Sequence, residues 1–333
     1  NIPNSVNEIG MAAFQDCISL TSINIPNEVT KLDWASFENC SSLVSVTIPD
    51  AVTSIGASSF RNCILLEEVS ISPQSALTSI GASAFSGCSS LISINVPDGV
   101  TSIGNEAFCN CTSLANVAIS PQSALVSIGV GAFYSCSSLS YVNIPDGVTE
   151  IGNGTFASCS SLTSITIPDG VTSIAEWAFT ACHSLADITI SPQSALNSIG
   201  EFAFSDCSSL ISINIPDGVK EIGDYAFMEC TSLSDVAISS QSAMVSIGSS
   251  AFYNCSSLTS FIIPNGIVSI NYAAFRDCSL LSEVTCLAKT PPVLDDAVFY
   301  AIHPSATLIV PVGCATAYSE SDWAQYFTTI EEK

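Results

Sequence analysis

Basic side chains are nearly absent from this sequence. Lysine and arginine total 6 against 30 aspartates and glutamates, which leaves a formal net charge of −24 at pH 7. Proteins that bind nucleic acid or an anionic membrane surface need basic groups to neutralise phosphates, so the composition excludes both partners. The surplus acid favours solubility and cationic partners. At physiological salt its electrostatic field extends over only about 8 Å.

Long hydrophobic runs are also absent. No segment reaches the length of about 18 apolar residues that a membrane-spanning helix needs, so we predict no direct membrane insertion within this chain. No secretory leader precedes the first residues, NIPNSVNEIG, which align with the second half of the repeated unit described below. We therefore expect an upstream part, and any export signal or lipid anchor would lie there.

Patterns typical of catalysis are missing as well. The two histidines, His183 and His303, lie in unrelated contexts, and neither a GxSxG nor an HExxH phrase occurs. Serine is so frequent that no single serine stands out as a nucleophile. We predict no catalytic residue, no cofactor and no enzymatic activity.

The chain is instead built from a repeated phrase, FxxC. Its phenylalanine occurs at twelve positions: Phe14, Phe37, Phe60, Phe85, Phe108, Phe133, Phe156, Phe179, Phe204, Phe227, Phe252 and Phe275. The partnering cysteines, from Cys17 to Cys278, follow one another at steps of 23 or 25 residues. A fixed period of this length is typical of a solenoid, in which each coil contacts only its neighbours.

One coil reads roughly LxxIxIPDGVTxIGxxAFxxCxS. In Leu91–Val96 the residues Ile94 and Val96 alternate with polar ones, which predicts a strand. The following PDG predicts a turn in which proline presets φ and glycine takes a positive φ. Val100 and Ile103 point inward again, and a short helical or 3-10 turn around AFxxC completes the coil.

Stacking such coils gives the predicted fold. We expect a solenoid of about twelve coils of 23 or 25 residues, with a parallel β-sheet on one face, short turns or 3-10 segments on the other, and a C-terminal cap. A buried phenylalanine stabilises by about 2–3 kcal/mol, so a file of such rings supplies a core that no single coil can form.

Four coils are two residues longer than the others. They replace PDG with ISPQSAL or a close variant, at Ile71–Leu77, Ile119–Leu125, Ile190–Leu196 and from Ile238. The extra residues predict a corner where tight turns and longer loops alternate without disturbing the core.

The repeat resembles that of the BspA-like, or Treponema-type, leucine-rich repeat proteins, whose pattern is LxxIxIPxxVxxIGxxAFxxCxxL. We predict a leucine-rich repeat solenoid over residues 1–285, and a degenerate last coil with a C-terminal cap over 286–333. Ile302 takes the cysteine place there, and residues 315–327 form a candidate amphipathic helix. The resemblance implies a secreted or cell-surface protein, and some proteins of this family bind host matrix proteins or other cells. The family's repeat pattern includes no catalytic residue.

Twelve of the fifteen cysteines occupy one inward position of the repeat. Parallel side chains in register keep the sulfurs in a file and do not turn them toward each other, so we predict a reduced packing ladder. A linear file without nearby histidine cannot ligate zinc tetrahedrally. Outside the ladder we expect Cys286 in a strand core, Cys314 in the cap and Cys109 facing outward as a reactive thiol.

Calcium is the other metal to consider, because aspartate recurs in PDG. The ISPQSAL coils interrupt the row, leaving only Asp146 and Asp169 on successive coils, and turn chemistry explains these residues better. We predict no metal site.

The outward positions of the sheet are where a leucine-rich repeat usually meets its partner. The candidate residues are Tyr141, Asn143, Ser164, Thr166, Asp187, Thr189, Ser212, Asn214 and Asp235. Most are small and polar, and only Tyr141 is of a type that dominates protein binding sites. Weak, repeated contacts fit this face best.

A second candidate surface is aromatic. Two residues before the repeat phenylalanine most coils have Gly, Ser or Ala, but three successive coils have an aromatic residue that follows an acid. These are the pairs Glu176 and Trp177, Glu201 and Phe202, and Asp224 and Tyr225. Such a strip could hold sugar rings, although we favour the simpler interpretation that the rings pack on each other.

Two functions remain open. The first is a non-enzymatic adhesion module of a secreted or surface protein, whose polar face contacts host or bacterial surface proteins. The alternative is a glycan-binding module of a carbohydrate-capture system that uses the aromatic strip. A passive surface spacer would bind neither.

Overall fold

The computed structural model describes residues 2–333. The chain divides into two compact units, residues 1–168 and 169–333, and each is a parallel-strand β-solenoid with the predicted repeat. After the first coil, which has only isolated bridges at Ile9 and Ser22, the coils contribute a strand of two to four residues on one face and, in most coils, a two-residue strand on the next side. The predicted solenoid of parallel strands is therefore confirmed, whereas the division at residues 285 and 286 stays a prediction.

The strands of the first unit form two parallel sets. The main strands, which form the sheet face, are Ser45–Ile48, Glu68–Ile71, Ser93–Val96, Asn116–Ile119, Tyr141–Val142 and Ser164–Ile167. The short strands are Lys31–Leu32, Ser54–Ile55, Ser79–Ile80, Ser102–Ile103, Ser127–Ile128 and Glu150–Ile151.

The second unit has the same two sets and the only helices of the described residues. Its main strands are Asp187–Ile190, Ser212–Ile215, Asp235–Ile238, Ser260–Ile263, Glu283–Cys286, Thr307–Val310 and Thr329–Glu332. Its short strands are Ser173–Ile174, Ser198–Ile199, Glu221–Ile222, Ser246–Ile247, Ser269–Ile270 and Val293–Leu294. An α-helix spans Ala315–Ser319 and a 3-10 helix spans Asp322–Gln325.

Strands pair one repeat apart, so equivalent residues lie side by side. Ser45 pairs with Glu68 and Ile48 with Ile71 in the first unit, and Ser212 pairs with Asp235 in the second. Burial alternates along the repeat strands that precede the C-terminal segment, as in Ser93–Val96, where the second and fourth residues are buried. A shift of one residue would expose the apolar row, so the hydrophobic pattern fixes this register.

The repeat phenylalanines form a buried file in each unit. From Phe14 to Phe156 the ring centroids are 5.2 to 5.5 Å apart with interplanar angles of 6° or less. From Phe179 to Phe299 they are 5.2 to 5.3 Å apart with angles of 9° or less. The two cores are therefore built in the same way.

The segment around AFxxC, which we call the turn face, is not helical. It consists of three overlapping β-turns, and the third residues of the first and last turns have a positive φ, as at Ala35 (53°) and Asn39 (60°). The N–H of each such residue, and that of the repeat phenylalanine, donates to the next coil: Ala35 to Ala57, Phe37 to Ser59 and Asn39 to Arg61, at 2.7 to 2.9 Å.

The second left-handed position, that of Asn39 and its equivalents, is often asparagine or aspartate in this chain. These two residue types adopt a positive φ more readily than most others.

The glycines of PDG act differently from the prediction. Gly99, Gly147 and Gly218, and Gly266 of the equivalent PNG corner, all lack a positive φ, so the expected reason for glycine is wrong at these corners. A Cβ on Gly147 would lie 2.8 Å from the carbonyl oxygen of Leu125, and on the other three a Cβ would lie 2.9 to 3.3 Å from the equivalent oxygen. These glycines follow the longer ISPQSAL-type coils, whose backbone approaches too closely for a side chain.

The C-terminal segment covers the last phenylalanine, Phe299. Trp323 and Phe327 lie 5.4 and 5.1 Å from its ring, and the Trp323 indole N–H donates to the Pro292 carbonyl at 2.9 Å. The predicted helix over 315–327 is interrupted: two short helices meet at Ser321, whose hydroxyl accepts from the Trp323 N–H. A further strand, Thr329–Glu332, then pairs with Thr307–Val310.

Candidate functional site

The thiol ladder is part of the core in both units. All fifteen cysteines are free. The S–H of Cys63 donates to the carbonyl of Phe37 in the preceding coil at 3.2 Å, and that of Cys230 donates to the carbonyl of Phe204 at the same distance. Each of these carbonyls also accepts a backbone N–H within its own turn, that of Cys40 for Phe37 and that of Cys207 for Phe204. The thiol thus adds a second hydrogen bond that links successive coils, which an alanine at this position could not make.

Burial keeps these thiols protonated. Desolvation raises the pKa of Cys63 and of Cys278 to about 12, and that of Cys40 to about 11. Because the thiolate is the reactive species, the ladder is inert at neutral pH.

Cys109 does not face solvent as expected from the sequence. Only 9 % of its surface is exposed, and desolvation followed by the nearby Glu106 carboxylate raises its pKa. The prediction of an outward, reactive thiol is wrong, because the Cys109 side chain lies against Ser86, the equivalent residue of the preceding coil, and its raised pKa disfavours the thiolate. Cys286 is fully buried as predicted and accepts from the Tyr318 hydroxyl at 3.1 Å.

Chemistry-bearing groups are dispersed in the described chain. Across residues 2–333 no three His, Cys, Asp or Glu side chains converge in a way that could hold a metal ion. His183 Nδ1 contacts the Asp206 carbonyl oxygen at 3.0 Å, and His303 Nδ1 accepts from the Ser305 N–H. Over the same residues, no helix is long and apolar enough to span a bilayer.

The sheet face of the first unit carries four of the predicted residues. Tyr141 is 54 % exposed and pairs with Asn116 of the preceding coil. Asn143 is half-buried, because its amide donates to the Ile119 carbonyl at 3.4 Å. Ser164 and Thr166 point outward from the strand Ser164–Ile167. Tyr141 and Thr166 are thus the most accessible of the four.

The sheet face of the second unit carries the other five. Asp187, Thr189, Ser212 and Asp235 are exposed, whereas the Asn214 amide donates to the Ile190 carbonyl at 3.4 Å.

Acids occupy alternate strands of this row. Asp235 pairs with Ser212, and Glu283 pairs with Ser260. At a strand spacing of about 4.8 Å, carboxylates on alternate strands lie about 10 Å apart, which limits their mutual repulsion.

A groove on the sheet face of the first unit is lined by outward strand positions of the coils that precede the nine candidate residues. It encloses about 780 Å³, and its polar lining includes Thr47, Asp50, Glu68, Ser70 and Asn95. The groove forms where the tight Pro49–Ala51 corner precedes a coil with the longer ISPQSAL loop, whose Ser72 also lines it. The 23- and 25-residue alternation is the sequence signal that could have located this recess.

The aromatic strip of the second unit has a stacked pair and a tilted ring. Phe202 and Tyr225 are parallel within 4° with centroids 4.6 Å apart, and Trp177 lies 6.3 Å from Phe202 at 39°. Trp177 is 47 % exposed, and the other two rings are half-buried. Phe202 and Tyr225 therefore cover each other's faces, as the packing interpretation expects, and Trp177 is the accessible member.

All three aromatic residues sit in a left-handed backbone conformation. Their φ angles are 56° for Trp177, 53° for Phe202 and 57° for Tyr225. A bulky residue in this region costs of order 1–3 kcal/mol, and the equivalent residues of most other coils are Gly, Ala or Ser. Ring stacking recovers about 0.5–1.5 kcal/mol per pair, so stacking offsets part of this strain.

The acids beside the strip differ in their bonding. Asp224 accepts a hydrogen bond from the Ser249 N–H at 2.6 Å, so its carboxylate also holds the next coil. The carboxylates of Glu176 and Glu201 make no hydrogen bond or ion pair with any described residue. The Trp177 backbone N–H donates to the Glu201 carbonyl at 3.0 Å, so the two residues are neighbours on successive coils.

A second cluster on the same turn face surrounds Arg276. Its guanidinium carbon lies 5.1 Å from the centre of the Tyr300 ring, and its Nε is 3.4 Å from Asp277 Oδ2. The Nε–Asp277 contact is within ion-pair distance but lacks hydrogen-bond geometry, so the buried Nε has no hydrogen-bond partner. Tyr272 and Tyr300 are 44 % and 56 % exposed.

Comparison with known proteins gives one family. The family model described as the BspA type Leucine rich repeat region matches in six copies, over residues 1–115, 78–197 and 185–304. Among the curated proteins, no sequence matches this chain.

Solved structures give relatives of the same kind. A leucine-rich repeat protein from Bacteroides ovatus is 26% identical with a TM-score of 0.60, and the match covers 94% of this chain and 91% of that one. A leucine rich cell surface protein from Faecalibacterium prausnitzii is 30% identical with a TM-score of 0.53, covering 94% and 88%. The T. pallidum leucine rich repeat protein is 30% identical with a TM-score of 0.43, covering 57% and 78%.

Proposed function

Because this chain belongs to the BspA-type leucine-rich repeat family, we propose that it is a non-enzymatic binding module of a secreted or cell-surface protein. Its sheet face contacts proteins of host or bacterial surfaces. The family and the fold are typically non-catalytic, and a relative of similar length is described as a cell surface protein.

The sheet face is the observation that carries this proposal. In the second unit the outward row presents exposed Asp187, Ser212 and Asp235, the last two as a strand pair, and all inward side chains of these strands are buried. Hydroxyl groups and carboxylates at repeated spacing provide many weak contacts, whose combined strength exceeds that of any single one. The groove lined by Asp50 and Glu68 offers the first unit a deeper contact of the same chemistry.

A glycan-binding module is the competing proposal, and it rests on the aromatic strip. A sugar ring stacks on an aromatic face, and the mutual stacking of Phe202 and Tyr225 covers the faces such a ligand would need. Only Trp177 presents a largely exposed ring. The sheet face is therefore the better supported surface.

Capture experiments test the proposal. Wild-type protein is immobilised and exposed to panels of matrix proteins, mucin and polysaccharides, beside the double variant Asp187→Lys, Asp235→Lys. The matched control is the double variant Glu150→Lys, Glu221→Lys, which makes the same two charge reversals on exposed short strands. We expect protein capture by wild type and control and a loss of at least tenfold in the sheet-face double variant. Capture of polysaccharide alone would support the glycan module, and capture of nothing would support a spacer.

A further inference from the structure

The turn face of the second unit is strongly acidic. Its six turns contain eight carboxylates and one guanidinium. The acids are Glu176, Glu201, Asp206, Asp224, Glu229, Asp277, Asp295 and Asp296. The single base, Arg276, is already paired with Asp277 at 3.4 Å. A partner for this surface must therefore bring positive charge, since an anionic one would be repelled.

The protein itself shows how this face holds a cation. Arg276 lies over the Tyr300 ring at 5.1 Å, with a carboxylate beside it, which is the geometry of a cation–π contact supported by an ion pair. On this face, therefore, one guanidinium is held between an aromatic ring and a carboxylate.

The same combination recurs at Trp177 without a basic residue from the chain. Trp177 is 47 % exposed, Glu176 precedes it in the chain, and the Glu201 carbonyl accepts its backbone N–H. The carboxylates of both glutamates have no bonding partner among the described residues. Turns 175–182, 200–207 and 223–230 contain no lysine or arginine. Indole is the aromatic group that binds cations best.

Backbone strain adds an independent observation. Trp177, Phe202 and Tyr225 occupy left-handed positions that small residues fill in most other coils. Stacking explains Phe202 and Tyr225, which are parallel at 4.6 Å, but Trp177 is tilted at 6.3 Å and gains less from its neighbour. An exposed, strained and weakly stacked tryptophan points to contact with a ligand.

We propose that Trp177, Glu176 and Glu201 form a receptor for lysine or arginine side chains of a basic protein segment. The site is separate from the sheet face, so it adds a second contact surface to the protein. A basic side chain of the partner packs over the indole, and the two glutamates neutralise the charge of that side chain. The stacked pair Phe202 and Tyr225 packs beside Trp177 and supports it.

The chain offers a matched control at Trp34. This tryptophan is also exposed, at 43 %, and also follows an acid, Asp33. Here the carboxylate is already occupied, because Lys31 Nζ lies 3.3 Å from Asp33 Oδ1 and the Trp34 N–H donates to the same oxygen. Loss of Trp34 therefore reports general effects of removing an exposed indole from an acidic protein.

The test measures the dissociation constant of a fluorescent ten-residue lysine peptide by anisotropy at physiological salt, for the full chain. We expect Trp177→Ala to weaken binding about three- to tenfold, the range for a partly desolvated cation–π contact, and Glu201→Gln to weaken it less. Trp34→Ala should bind as wild type does. A peptide of trimethyl-lysine should retain the dependence on Trp177, because methylation keeps the charge.

Three outcomes would overturn the proposal. Equal weakening in Trp177→Ala and Trp34→Ala would show non-specific attraction to an acidic protein. Equal affinity in all variants would show that the indole makes no contact. Trp177-dependent binding of neutral oligosaccharides without peptide binding would assign the strip to sugars. None of these results decides whether the sheet face binds protein, which the charge-reversal experiment measures separately.

Discussion

The two units of this protein have the same interior and different surfaces. Each stacks phenylalanines at 5.2 to 5.5 Å and lets each buried thiol donate to a carbonyl of the preceding coil. Two residues before the repeat phenylalanine, the first unit has mainly Ala, Ser or Gly, whereas the second begins with Trp177, Phe202 and Tyr225. The comparison teaches that the repeat fixes the core and leaves the outward positions free to specialise.

The largest predicted effect concerns the shared interior. Phe85→Ala in the first unit and Phe227→Ala in the second remove fully buried rings, and each should lower the free energy of unfolding by about 3–5 kcal/mol. Urea denaturation followed by circular dichroism measures both, with Ser93→Ala on the sheet face as the control. A loss confined to one unit would mean that the two cores are not equivalent.

A second prediction concerns pH and again treats the units alike. Cys63 and Cys278 both have a pKa of about 12 when folded, against 9.0 for the unperturbed thiol. The folded state therefore binds more protons above pH 9, so stability is complete below pH 9 and falls as pH rises toward 12. By pH 10 each thiol accounts for a loss of about 1.4 kcal/mol.

Titrating the unfolding free energy between pH 8 and pH 10.5 checks this. Cys63→Ala and Cys278→Ala should each reduce the slope of unfolding free energy against pH, in the alkaline range, by the equivalent of about one proton. Any loss of stability that is the same at every pH does not change this slope. An unchanged slope in either variant would show that its thiol ionises equally in the folded and unfolded chain.

The third prediction tests the surface difference. Phe202→Ala and Ser83→Ala both leave alanine in a left-handed position, so the backbone strain cancels in the comparison. Phe202→Ala should cost about 1–2 kcal/mol of unfolding free energy through lost ring contacts, and Ser83→Ala less than about 0.5 kcal/mol. If Phe202→Ala were as mild as Ser83→Ala, stacking would not stabilise the strip.

The smallest effect is chemical. A thiol reagent at pH 7.5 should modify Cys17 and Cys314, the two partly exposed cysteines, and leave the buried thirteen unmodified. Mass spectrometry counts and locates the adducts, with urea-unfolded protein as the control for full labelling. Early modification of Cys109, or of ten or more cysteines, would contradict the buried ladder.

The core was predictable because identical residues stack only in register. Leu91, Ile94 and Phe85 have apolar equivalents in the neighbouring coils, and each is buried against those equivalents. The repeat period is therefore enough to predict where these side chains lie. The thiol file followed from the same argument.

Positions outside the repeat rule were harder to predict. Gly147 is required by the approach of the Leu125 carbonyl, a contact between coils that turn propensity does not describe. Cys109 is covered by its neighbours, and the Arg276 contact with Tyr300 joins residues 24 positions apart that no pattern links. Such contacts depend on which side chains the adjacent coils bring together.

Native-state hydrogen exchange tests the common construction of the two units most directly. The Phe60 and Phe227 amides each donate to a carbonyl of the next coil at 2.7 Å, one in each unit. Mass spectrometry of peptides covering 56–63 and 223–230 should show strong and similar protection, lost together only on global unfolding. Exchange of either peptide at the rate of an exposed loop would contradict the shared ladder on which this account depends.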